Sequence, residues 1–132
     1  MRFPFLELPG EPQVERPVVP VVVAGLDAQP QLSLIDTGAL RNVFGRWIAE
    51  VAGIGLDDAP AERFAVGGVI TDGRMARVDL AVGAIRFDAP VWFCEPWPHA
   101  FSLLGQEGFL RRFHLEICAA EGWVELEPEP HR

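Results

Sequence analysis

Residues 32–44 read LSLIDTGALRNVF, an apolar run that ends abruptly on Asp36-Thr37-Gly38. A carboxylate leaves water at a cost unless hydrogen bonds or a counter-charge compensate it. An acid in this position is therefore either a backbone cap for a following helix or a group held for chemistry. The segments on both sides decide between these readings.

Upstream, residues 18–24 form a β-branched run interrupted only by Pro20, which reads as a strand at an edge or at its own beginning. Residues 25–30 supply Gly, Asp and Pro for a turn, and residues 31–35 resume as a second strand, so a hairpin delivers the chain to Asp36. Downstream, Val43, Phe44, Trp47, Ile48 and Val51 recur at the spacing of one helical face. This predicts a helix of about three turns, ended by Gly53 or Gly55.

Residues 63–70 and 75–82 flank Gly67-Gly68 and a competing turn signal, Asp72-Gly73, and read as a hairpin with a glycine-rich tip. Short strands are expected at 85–87 and 90–94, then a loop at 95–99, where two prolines remove donors. Phe101-Ser102-Leu103-Leu104-Gly105 is an apolar strand meeting a glycine, and 106–112 reads as a short helix. Alternation over 113–118 and a return at 123–126 predict a terminal hairpin. The expected organisation is an extended arm over 1–17, one domain over 18–126 and a fraying tail over 127–132. Two strand-to-glycine elements, ending at Gly38 and Gly105, suggest two related halves.

Composition narrows the function. Nearly half of the 132 residues are apolar, enough for one buried core. Every positive charge outside histidine is arginine, and the net charge of −8 argues against a nucleic-acid partner. No run reaches membrane-spanning length, and the start lacks a signal-peptide core, so a soluble cytoplasmic protein without a membrane partner is expected. Cys94 and Cys118 lack metal-site spacing and read as free thiols, and the three histidines form no zinc pattern. No metal or cofactor is expected.

Leu34-Ile35-Asp36-Thr37-Gly38-Ala39, the Gly67-Gly68 hairpin and Leu103-Leu104-Gly105 before a short helix together resemble the retropepsin-like aspartic proteases in order and approximate spacing. The similarity spans roughly residues 18–126. It implies a mostly β, closed-barrel acid-protease fold with one main helix and a short C-terminal one. It also implies roles: Asp36 as catalytic acid, Thr37, Gly38 and Ala39 as its support, and Gly67, Gly68 and Val69 as a substrate-binding flap. Arg41 and Gln106-Glu107 depart from the commoner pattern.

Peptide hydrolysis by this route needs two carboxylates that share one proton, one accepting from water while the other donates to the carbonyl oxygen. The chain has one DTG. The second acid must come from a second copy, so the resemblance implies a homodimeric endopeptidase acting on peptide or protein. The alternative is a dimer of the same fold that binds peptides without useful turnover.

Overall fold

A computed structural model describes residues 1–130. In chain order its elements are β1 (Arg2–Pro4), β2 (Leu6–Glu7), β3 (Glu15–Arg16), β4 (Val18–Val23), β5 (Gln31–Ile35), β6 (Val43–Gly45), α1 (Arg46–Ala52), β7 (Ala61–Val66), β8 (Val69–Val82), β9 (Ile85–Glu95), β10 (Ser102–Leu104), a single 3-10 turn (Leu110–Arg112), β11 (Phe113–Cys118) and β12 (Trp123–Pro128). The protein is mostly β. Among the described residues, no helix is long and apolar enough to cross a membrane.

The main sheet runs β4-β5-β10-β6-β9-β8-β7, and an additional β4–β8 pairing closes the first six into a barrel. β7 hangs on β8 outside the closure. β10 lies between β5 and β6, parallel to the first (Leu103 opposite Leu34) and antiparallel to the second (Leu103 opposite Val43). The two apolar strand ends that looked like related halves are therefore neighbours.

Alternation gives this wall two faces. Ile35, Phe44, Phe93 and Leu104 point into the barrel core, where Phe44 meets Phe93 edge to face at 6.1 Å. Their sequence neighbours Leu34, Val43, Cys94 and Leu103 form a second, smaller cluster with Phe64, Val66 and Phe101. One wall thus serves both a closed core and an outer apolar floor.

Four expectations are corrected. Val43 and Phe44 are strand, because each is buried on a different face, and α1 keeps only seven residues before Gly53 closes it at φ 75°. Trp47 and Val51, placed on the helix's buried face by periodicity, are 49 % and 58 % exposed. The strands expected at 85–87 and 90–94 are one continuous β9. Pro90 fits inside it because its ring lies next to Gly108 and its carbonyl is bonded at 3.2 Å by the Asn42 side chain instead of a strand. The helix expected at 106–112 shrinks to the 3-10 turn, since Gly108 turns the chain at φ 88° in its middle.

The fourth concerns the chain ends. The arm over 1–17 is extended but tied down: β1 pairs with β12, β2 pairs with β3, and Met1 and Leu126 exchange two hydrogen bonds of 2.8 Å. The tail expected to fray is strand through Pro128, and the Glu129 N–H donates to the Arg112 carbonyl at 2.8 Å. Residues 131–132 of that tail lie outside the described residues. The terminal hairpin forms as β11 and β12.

Both cysteines are free. Burial among Val43 and Leu103 pushes the Cys94 thiol up to about 11, against smaller opposing effects of the Thr71 hydroxyl and Arg41. Cys94 therefore holds its proton more tightly folded than unfolded. The stability it contributes is complete below the ordinary thiol value of 9.0 and is lost as pH rises towards 11. Iodoacetamide at mildly alkaline pH is expected to modify the half-exposed Cys118 and to spare Cys94 until the chain is unfolded. Peptide mapping by mass spectrometry reads the order, and equal labelling rates in the folded protein would contradict it.

Candidate active site

Asp36 lies just past β5, two residues beyond Leu34, so strand alternation aims it at the outer floor and away from the core. Its N–H still donates to the Leu104 carbonyl at 3.0 Å, which prolongs the β5–β10 pairing by one residue. The chain then turns: Gly38 N–H donates to Asp36 Oδ1 at 2.9 Å and Ala39 N–H to the Asp36 carbonyl at 3.1 Å. This is an Asx-type turn. It is not a helix cap, because α1 begins ten residues later at Arg46. Among the described residues the carboxylate has no cationic partner, and the side chain is half-buried.

The loop after Asp36 is locked from behind. Gln106 Nε2 donates to the Thr37 carbonyl at 2.7 Å, and the Gln106 and Glu107 backbone N–H groups take the Ala39 and Leu40 carbonyls at 2.9 and 2.8 Å. Asn42, fully buried, accepts from Gly105 N–H at 3.0 Å and donates to the Pro90 carbonyl, while its own carbonyl accepts from Trp92 N–H at 2.9 Å. Gly105 must lack a Cβ, since one built there meets the Arg41 backbone nitrogen and carbonyl carbon at 2.7 Å. Three stretches remote in sequence are thereby fixed around one carboxylate.

Opposite this loop stands the β7–β8 hairpin. Val66 pairs with Val69, so Gly67-Gly68 is the two-residue tip, and φ values of 56° and 81° are those a type I′ turn demands of both residues. Asp72-Gly73, the competing turn signal, lies within the ladder opposite Arg63 and Glu62. An exposed Arg63–Asp72 ion pair of 2.9 Å holds the Asp72 carboxyl below its ordinary value.

Between loop and hairpin lies a cleft of ≈ 560 Å³. Leu34, Val43 and Leu103 floor it, Phe64 and Val66 wall it, and Asp36, Gly38, Ala39 and Gly67 reach it. Thr37, Gly68 and Val69 do not line it; Thr37 and Gly68 are exposed, and Val69 closes the hairpin ladder.

The cleft contains charged and aromatic groups that sequence reasoning left without a role. Arg41 forms two hydrogen bonds of 2.9 and 3.1 Å with Glu62 and lies over Trp92 at 4.4 Å and Phe64 at 5.1 Å. It ties the Asp36 loop to the hairpin. His99 sits at the mouth, stacked on Phe101 at 5.1 Å and edge-on to Trp97 at 4.8 Å, next to Gly67. The 95–99 loop that carries it is pinned by Thr71 Oγ1 donating to the Pro96 carbonyl at 2.7 Å and by Trp97 Nε1 donating to the Phe101 carbonyl at 2.9 Å. Glu62 and Phe64 share strand parity with Val66 and could have been found by counting back from the hairpin tip. His99 gives no such signal, because only the folded loop brings it to Gly67.

No family model matches the chain, and no curated protein matches it. The assignment of a reaction therefore rests on the residues themselves.

Asn42→Ala would leave Gly105 N–H and the Pro90 carbonyl unpaired in a buried place. At about 1–3 kcal/mol per orphaned group, the expected loss is about 2–6 kcal/mol of stability by urea denaturation. Asn42→Asp keeps an acceptor for Gly105 but no donor for Pro90 and should also be destabilised. A loss below about 1 kcal/mol for Asn42→Ala would show that the knot is dispensable.

Proposed function

We propose that the chain is one half of a homodimeric aspartic endopeptidase of the retropepsin type, in which Asp36 from each of two subunits activates water between them. The observation that carries this reading is the setting of Asp36: a carboxylate fixed through one oxygen by Gly38 N–H and borne on an outward-facing turn at an apolar cleft. A structural cap would be consumed by its own helix. This acid has none to cap.

Three further features support the reading. Thr37 and Gly38 are exposed and Leu40 is 52 % exposed, so the turn presents an apolar, uncovered surface to a second copy. β7 ends the main sheet, and among the described residues its outer edge is unpaired, which suits an extended peptide added by backbone hydrogen bonds. The Gly67-Gly68 tip stands over the same cleft and could close on such a peptide.

In this mechanism the paired carboxylates hold one proton. The ionised member takes a proton from water as the water oxygen attacks the peptide carbonyl, and the protonated member donates to the carbonyl oxygen. Collapse of the tetrahedral adduct then expels the amine, which takes the proton first removed from water, while the other carboxylate recovers its own from a hydroxyl of the adduct. Asn42, Gln106 and Gly105 act as positioning residues for the turn.

Wild-type protein is expected to cleave an unfolded protein substrate at mildly acidic pH, and Asp36→Asn to lose at least about a thousandfold in rate while keeping its fold. Activity per chain should fall on dilution, in step with dimer dissociation by sedimentation. Cleavage by Asp36→Asn at the wild-type rate, or a strict monomer at every concentration, would sink the proposal. Saturable peptide binding without turnover by wild type would favour the peptide-capturing alternative.

A further inference from the structure

A second groove, of ≈ 860 Å³, shares no lining residue with the Asp36 cleft. It is built from Arg77 of β8, Arg86 and Phe87 of β9, the 3-10 turn with Arg111 and Arg112, and the end of β12. Four arginines line it, and the carboxylates beside them are Glu129, Asp88 on Arg77 and Glu107 near Arg111, in a chain of net charge −8. Four guanidinium groups against three carboxylates leave a local positive excess, opposite in sign to the whole chain.

The arginines divide into two kinds. Arg77 is bonded to the Asp88 carboxylate, and Arg112 donates to the Asp88 carbonyl while lying over Phe87 at 5.6 Å. These two brace the groove. Arg86 is exposed and has no carboxylate partner among the described residues, and Arg111, 64 % exposed, has only a loose 3.8 Å approach to Glu107. These two are free to bind. Phe87, the next residue of β9, also lines the groove and packs against Phe109 and Phe113 at 6.1 and 5.6 Å, giving it an apolar part.

We propose that this groove docks an extended acidic segment of another polypeptide, its carboxylates taken by Arg86 and Arg111 and its apolar side chains laid on Phe87. Guanidinium forks match carboxylates bidentately, so a pair of free arginines selects acidic side chains over amides or hydroxyls. Pro128-Glu129-Pro130 runs along one wall with Glu129 N–H bonded to the Arg112 carbonyl at 2.8 Å. A short acidic peptide senses mainly the local field, because charges beyond about 8 Å are screened at physiological ionic strength. A continuous polyanion such as nucleic acid would extend past the groove onto a negative surface and is disfavoured. The proposal does not depend on peptidase activity.

The test is fluorescence anisotropy with a short fluorescein-labelled peptide of Glu, Pro and Phe, using full-length protein. Saturable binding that weakens with added salt is expected. Arg86→Gln combined with Arg111→Gln should weaken it at least about tenfold, with circular dichroism unchanged since both side chains are exposed. Arg41→Ala, in the other cleft, should leave it within about twofold. Absence of saturable binding to wild type overturns the proposal. So does equal binding by the double variant, loss of binding on Arg41→Ala with none on the double variant, or equally tight binding of a single-stranded oligonucleotide.

Discussion

The fold depends on the insertion of β10 between β5 and β6. Ser102–Leu104 must travel some seventy residues along the chain to lie parallel to Gln31–Ile35, and the barrel has no continuous wall without it. Parallel pairing of distant segments carries a loop-closure cost before any contact repays it. The compensation is concentrated at the C-terminal end of the pair. There Asp36 N–H extends the ladder, Asn42 bonds Gly105 and Pro90, and Gln106 reaches back to Thr37.

That junction also separates two environments. The inner side chains of the wall, Ile35, Phe44 and Leu104, complete a continuous core. The outer ones, Leu34, Val43 and Leu103, would be exposed apolar surface if the hairpin and the 95–99 loop did not stand over them. The partial cover leaves a cleft instead of a second closed core. Arg41, held by Glu62 and two aromatic faces, fixes the spacing between floor and hairpin, and its desolvation is limited because the pair stays partly wet.

The hairpins around Asp36 and Gly67 were legible because alternation, β-branching and glycine pairs act locally. Positive φ at both tip residues is a demand only glycine meets cheaply, so Gly67-Gly68 wins over Asp72-Gly73 once the ladder is counted. The helix was overextended for an equally physical reason. Val43, Phe44, Trp47 and Ile48 fit a helical stripe as written, yet Val43 and Phe44 are claimed by two different apolar layers, which a helix face cannot serve. At 106–112 Gly108 takes a left-handed φ of 88° in the middle of the would-be helix and breaks it.

By itself the sequence determined the mostly β character, the hairpin that delivers Asp36 to a turn, and the glycine tip opposite it, since each follows from residues a few positions apart. Tertiary structure alone decided that His99 meets Gly67, that Arg41 pairs with Glu62, that Asn42 knots three strands and that four arginines gather in an acidic chain. Those juxtapositions join residues tens of positions apart. No local periodicity encodes them, because their partners are chosen by barrel closure and not by the neighbouring chain.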